Sequence, residues 1–264
     1  MKILAGTICL LISLTACNAS AVSNADKAPV TKNITVADFS GIDAATGIKV
    51  AYTQGPLKPA KVTVPRYILN YLVLKVKNGT LEIKLDDSFW KKYSSVKGDI
   101  TVTLSSPAVN DLEASSGASI NIKGALNVRG NADVETSSGA SISIPAGLTA
   151  TGSVDLETTS GSSIKITGLK ASKVECDLSS GSNMDLSAVL CDMAEFDLSS
   201  GASCTVTGRT RSMKADATSG ASLQAKRFIA NTATIEAGSG GSVDFNAANA
   251  SVDKGNTGSA TNHH

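Results

Sequence analysis

The side chains in this sequence whose spacing could support chemistry are carboxylates. In five successive stretches an apolar residue stands between two acids: Asp111/Glu113, Asp133/Glu135, Asp155/Glu157, Glu175/Asp177 and Glu195/Asp197. Asp216 and Glu236 continue one of the two series, while Lys214 and Thr234 interrupt the other. Residues i and i+2 of a strand face the same side, so strands stacked in register would turn these pairs into two columns of like charge. At ~4.8 Å per step, each neighbouring pair costs about 1 kcal/mol in water before salt screens it. Three answers are open. The side chains splay and gather monovalent counterions, or a divalent cation such as calcium bridges paired carboxylates, or the face docks a basic partner.

Other chemistries lack their parts. The two histidines are His263 and His264, so a reaction needing a buried imidazole is excluded. There is no G-x-S-x-G elbow, no P-loop and no zincin helix. Beyond Cys17, the mature cysteines are Cys176, Cys191 and Cys204, an odd number with no C-x-x-C, which argues against zinc and redox motifs. Cys176 and Cys204 occupy aliphatic positions and read as small core residues. A calcium-dependent polysaccharide-active enzyme could use the acids together with a Lys or Arg base. The acids are regular rather than clustered, however, and the repeats hold three aromatics, Phe196, Phe228 and Phe245. The expectation is no enzyme and no cofactor, calcium excepted.

What positions the acids is a repeat. A Ser-Gly motif recurs with glycines at 117, 139, 161, 181, 201, 220 and 240, in steps of 22, 22, 20, 20, 19 and 20 residues. LEASSGASINI (112–122) and FDLSSGASCTV (196–206) are two copies. Apolar residues alternate on both sides of the glycine, which is strand periodicity. Each unit therefore gives a strand, a Ser-Gly turn and a second strand. A unit this short buries its inward face only by stacking on neighbours. The predicted fold is all-β, a parallel β-solenoid with a β-helix-like core over 108–246, continuous with an N-terminal β segment over 34–107. Glycine at the corner allows a positive φ, and the flanking serines can hydrogen-bond the turn or their equivalents above and below. A twisted antiparallel array of the same period is the competing architecture.

The ends carry an address. Lys2 precedes an apolar run, Ile3–Leu14, of signal-peptide length, followed by Thr15-Ala16-Cys17. That junction resembles the lipobox of bacterial lipoproteins, which implies a signal over 1–16 and lipidation at Cys17. Two or more acyl chains anchor stably where one does not. Asn18 is not the aspartate that retains enteric lipoproteins in the inner membrane, so the expected address is the outer membrane, facing the periplasm or the cell surface. Residues 17–33 read as a flexible tether reaching roughly 20–24 Å, and 247–264 as a polar tail. The formal charge of +1 argues against nucleic acid as a partner. Residues 17–107 carry 12 Lys/Arg against 7 Asp/Glu, and 108–264 carry 11 against 16. That polarity would favour attraction within the molecule or head to tail between copies.

The N-terminal segment reads as short strands, Ile34–Phe39, Gly47–Thr53, Ala60–Val64 and Val73–Leu85, then Asp99–Leu104. Asn78-Gly79 is a two-residue hairpin signal, and Pro65–Tyr71 suits one helical turn. Asp86–Ser95 gathers Phe89, Trp90 and Tyr93 beside Lys91 and Lys92. Exposed, these aromatics would stack on a sugar or grip a protein; folded in, they would seal an open end of the solenoid. DFSGIDAATGIKVAYTQG (38–55), VKNGTLEIKL (76–85) and DITVTLSSPAVNDLEASSGASINIKG (99–124) resemble the autotransporter-adhesin head domain family, or head GIN domain, frequent in Bacteroidetes. The resemblance covers about 34–245 and implies a secreted or lipid-anchored all-β protein. It carries over no functional residue. Two functions follow as expectations: a non-catalytic surface or periplasmic binding module with a glycan or protein ligand, or a structural envelope protein that self-associates as a homo-oligomer.

Overall fold

The computed structural model describes residues 23–264; Cys17 and the signal-like run lie outside them. The repeats stack as a right-through parallel ladder in which equivalent residues pair: Leu112 with Val134, Val134 with Leu156, Leu156 with Cys176, Cys176 with Phe196. Three faces run along it. Acid-bearing strands such as Ser153–Thr158 and Lys173–Leu178 form the first. Across the Ser-Gly corner, strands such as Ser119–Ile122 and Ser141–Ile144 form a serine-rich second. Leu126–Val128 and Leu148–Ala150 begin the third. From residue 183 onward the three strands of a coil merge into single runs, Asn183–Leu198, Ser203–Ala217, Ser222–Ala237 and Ser242–Lys254.

The corner is sharper than a lone glycine would make it. Serine and glycine are both left-handed, as in Ser116 (φ 49) and Gly117 (φ 74), and Ala118 N–H donates to Ser115 O at 3.0 Å. Two positive φ values closed by that bond are the signature of a type I′ turn. The peptide between serine and glycine then stands along the solenoid axis. Gly47 N–H donates to Ser116 O, and Gly117 N–H, the other pole of the same peptide, donates to Ser138 O, both at 3.0 Å. The series continues through Gly139, Gly161, Gly181, Gly201 and Gly220 at 3.0–3.1 Å. Main-chain groups carry this ladder; the corner serine hydroxyls take no part. Thr46-Gly47 is a further corner that a search for Ser-Gly passes over.

Inside, large and small residues compensate between rungs. Phe196 lies between Cys176 and Ala215 and meets Phe228 edge-on at 6.0 Å. Phe228 in turn sits beside Gly208, where a Cβ would fall 2.0 Å from Val189 O. Cys176, Cys191 and Cys204 are buried free thiols. The Ser162 hydroxyl donates to Thr136 O at 2.8 Å and the Ser182 hydroxyl to Thr158 O at 2.8 Å, so the polar groups inside the corner are satisfied.

The N-terminal segment is interleaved rather than simply prefixed. Gly41–Ala44 lies between Thr80–Leu85 and Asp111–Ala114, and Lys49–Gln54 lies between Thr101–Ser106 and Ser119–Ile122, all in parallel. The outermost rung is covered by antiparallel strands: Leu72–Lys77 on Thr80–Leu85, and Ala60–Pro65 on Thr101–Ser106. The hairpin at Asn78-Gly79 and a 3-10 turn over Arg66–Tyr71 form as expected. Two boundaries move. Pro29–Ile34, within the expected tether, is an edge strand on Ala60–Pro65, whereas 35–39 is not a strand. The expected polar tail continues the ladder, because Ser242–Lys254 pairs with Ser222–Ala237 and Ser259–Asn262 with Ser242–Phe245. A polar composition hid this rung, since a terminal rung has only one side to bury.

Gly161 has open space where a Cβ would go, so Gly161→Ala is expected to cost only the left-handed penalty of about 1–2 kcal/mol. Gly208→Ala, which meets backbone, is expected to cost several times more, and urea unfolding of the two variants would separate these effects.

Candidate functional site

The acid pairs fall where the repeat predicts, and the column is longer than the sequence pattern. Glu82, Asp43, Glu113, Glu135, Glu157, Asp177, Asp197, Asp216, Glu236 and Asp253 pair rung to rung without interruption. Asp43, Glu82 and Asp253 were missed because their flanking residues do not repeat the Ser-Gly unit. The second column, Asp111, Asp133, Asp155, Glu175 and Glu195, ends at Lys214.

Burial first, and then neighbouring carboxylates, push Asp111, Glu113, Glu135 and Asp177 above the ordinary carboxylate range. Asp155 goes furthest, to about 6: its partial burial is reinforced by the neighbouring Glu175 carboxylate, and its Oδ1 is buried without a partner. At the other end lysines take over. Lys173 bridges Glu175 at 2.5 Å and Glu195 at 3.2 Å, and Lys214 meets Glu195 at 3.0 Å, which holds Glu195 below its usual range. The repulsion in this column is relieved where Lys173 and Lys214 meet Glu175 and Glu195. Among the described residues no group of three or more His, Cys, Asp or Glu is arranged to hold a metal ion. The depressions on this face are shallow; one of about 210 Å³ is lined by Glu157, Asp177 and Asp197.

The aromatic stretch divides. Asp87–Lys92 is a short helix capped by the Asp86 carboxylate, which accepts from Ser88 N–H at 2.8 Å. It replaces the Ser-Gly corner in the outermost rung. Phe89 is fully buried among Tyr67, Tyr71 and Tyr93 at 5.1–6.2 Å, and Tyr93 is partly buried. Of the three residues expected in a ligand loop, Trp90 alone is open, at 45% exposure. The cluster therefore seals the end of the solenoid. The short apolar spacing Phe89-x-x-x-Tyr93 puts both rings on one side of a helical turn, a signal the strand-centred pattern concealed.

A roomier concavity was not legible in the sequence. A groove of about 740 Å³ opens on the third face between 107–110 and the rungs at 127–129 and 149–151. Gln54 fixes its wall: its amide donates to Pro107 O at 3.1 Å and Asn127 O at 2.9 Å, and its Oε1 accepts from Asn127 N–H at 2.9 Å. Val109 and Val128 are buried beneath it. The side chains of Asn110, Asn127, Arg129 and Thr149 line the groove and make no hydrogen bond or ion pair among the described residues. Two carboxamides, a hydroxyl and a guanidinium left uncommitted around one concavity suit recognition of a polar or anionic ligand.

A family model described as "Putative auto-transporter adhesin, head GIN domain" matches residues 38–151 and again 146–261. No curated protein sequence matches the chain. Among solved structures, a "putative adhesin" from Bacteroides fragilis is 20% identical, with a TM-score of 0.66 over 90% of this chain and 98% of that one. A "putative adhesin" from Parabacteroides merdae is 17% identical, with a TM-score of 0.73 over 89% and 95%. A "Putative lipid binding protein" from Parabacteroides distasonis is 15% identical, with a TM-score of 0.64 over 89% and 94%. At these identities the likeness is one of fold.

Two outcomes are expected. Carboxyls held above their ordinary pKa bind protons more tightly folded than unfolded, so stability falls as pH rises from about 4 to about 6. Glu195 acts oppositely, losing its contribution only as pH drops below its ordinary 4.5. Melting temperature should therefore decline over that interval; Asp155→Asn should flatten the decline, and excess calcium or chelator should leave the curve in place. A curve that rises between those pH values would contradict this. Separately, Phe89→Ala should cost about 3–5 kcal/mol in chemical unfolding, and Trp90→Ala less than about 1.

Proposed function

The chain belongs to the head GIN domain family, and we propose that it is a non-catalytic, adhesin-like binding module of the cell envelope, anchored by lipid at Cys17. The groove carries the binding part of this reading: its wall is fixed by Gln54, while the side chains of Asn110, Asn127, Arg129 and Thr149 have no partner among the described residues. A rigid ladder behind the groove lowers the ordering cost of binding. The Leu14-Thr15-Ala16-Cys17 junction supports the anchor, and an outer-membrane location facing the periplasm or the cell surface goes with it. The corner serines form a regular stack with no base beside them, which suits a scaffold better than a nucleophile. No helix among the described residues is long and apolar enough to cross a membrane.

Self-association is the second reading. It is favoured by the outer edge of Asn246–Lys254, which pairs with no strand among the described residues.

An array of glycans, envelope proteins and lipid headgroups, probed with the full chain carrying Cys17→Ser, tests the proposal. Any ligand found should bind roughly tenfold or more weakly to Asn127→Ala/Arg129→Ala, as loss of a neutral and a charged hydrogen bond implies. Trp90→Ala should bind as before. Loss of binding on Trp90→Ala alone, or concentration-dependent oligomers with no ligand, would overturn it.

A further inference from the structure

The third face carries a second feature beyond the groove. Its outward column runs Asn127, Thr149, Lys170, Leu190, Arg209, Ile229, each paired with the next rung. Cations and aliphatics alternate over the last four, at ~4.8 Å per step. Leu190 is 47% exposed and Ile229 51%, two of the six large hydrophobic side chains exposed among the described residues, and they stand two rungs apart. Lys170, Arg209 and nearby Arg211 make no ion pair among the described residues, in contrast to Lys173 and Lys214 on the acidic face. Asp192 is the one acid among them.

We infer that this face lies on an anionic lipid surface. The occupant must offer both negative charge and an apolar phase. A second copy's acidic face offers charge with little exposed apolar surface beyond Met193, and a glycan offers no apolar layer that would take up Leu190 and Ile229. A bilayer interface offers both: half-exposed aliphatics enter the headgroup–acyl boundary while Lys and Arg meet phosphates. Past the register shifts, the four rungs pair side by side in parallel along this column, so their outward side chains reach one surface together. Leu190 and Ile229 flank Arg209, so the cation is held at the depth of the phosphates between two apolar contacts.

The groove opens on the same face a few rungs toward the N terminus, so a bilayer beneath the patch also meets the groove. In that respect the inference rests on the binding reading and names its ligand class as an anionic lipid. The acidic face, on another side of the solenoid, is left toward solvent.

The experiment uses the full chain with Cys17→Ser, so that no acyl anchor contributes. Sedimentation is measured with phosphatidylcholine vesicles, with and without phosphatidylglycerol. The expected result is binding to the anionic vesicles at least tenfold tighter than to neutral ones, weakened about fivefold or more by Leu190→Ser/Ile229→Ser and by Lys170→Gln/Arg209→Gln. Both pairs replace exposed residues, and unchanged melting curves would show that the variants fold. Glu157→Gln/Asp177→Gln on the acidic face should bind as the parent does. Absence of vesicle binding, equal binding to both compositions, or binding indifferent to the patch variants overturns the inference. So does self-association that Leu190→Ser/Ile229→Ser abolishes. If vesicles fail while an array ligand is still lost on Asn127→Ala/Arg129→Ala, the lipid inference falls and the groove reading stands. If the patch binds vesicles while those groove variants change nothing in either assay, the groove reading falls instead.

Discussion

One peptide group per coil, the one between serine and glycine at the corner, sets the register of everything else. Both flanking residues are left-handed, which costs about 1–2 kcal/mol for the non-glycine member. The turn this creates aims the peptide along the solenoid axis, where it accepts a hydrogen bond from the coil before and donates one to the coil after. Each bond is shared between two coils, so about one main-chain bond per coil, at roughly 0.5–1.5 kcal/mol, offsets the strain, and aligned bonds polarise one another. Slipping by one residue would break the series at every corner and turn the inward aliphatics outward.

That fixed register is why the acidic face exists in the form it does. Rung-to-rung pairing places Glu157 over Asp177 and Asp177 over Asp197 with no freedom to stagger the backbone. The ladder imposes repulsion that the corner bonds and the buried aliphatic columns outweigh. Relief comes locally, through Lys173 and Lys214 beside Glu175 and Glu195. The same logic closes the N-terminal end. Where the outermost rung has no neighbour, antiparallel strands take up its edge, and Phe89 with its tyrosine neighbours replaces the corner.

The three faces differ because each outward column is free to vary while the inward ones are not. One face accumulates carboxylates, one accumulates serines, and the third holds unpaired cations, aliphatics and a groove. Its groove arises where 107–110, leading into the first repeat, leaves the regular cross-section and is pinned by Gln54. Binding capacity thus sits at an interruption of the repeat, where side chains escape the register and remain uncommitted.

The all-β class, the period, the corner glycines, the inward columns and the acid pairs were legible in the chain because alternation and a fixed step report directly on strand faces. The hairpin at Asn78-Gly79 was legible for a similar reason: it is local. The interleaving of Gly41–Ala44 between strands that follow it in sequence was not, nor were the last rung at 259–262, the burial of Phe89 or the groove. They depend on contacts outside the regular step, from Ser242 with Ser259 and Phe89 with Tyr71 to Gln54 with Asn127, and no periodicity encodes them. Composition specified which side chains each column could present. Only stacking decided which of them ended with a neighbour of like charge, a satisfied partner, or none.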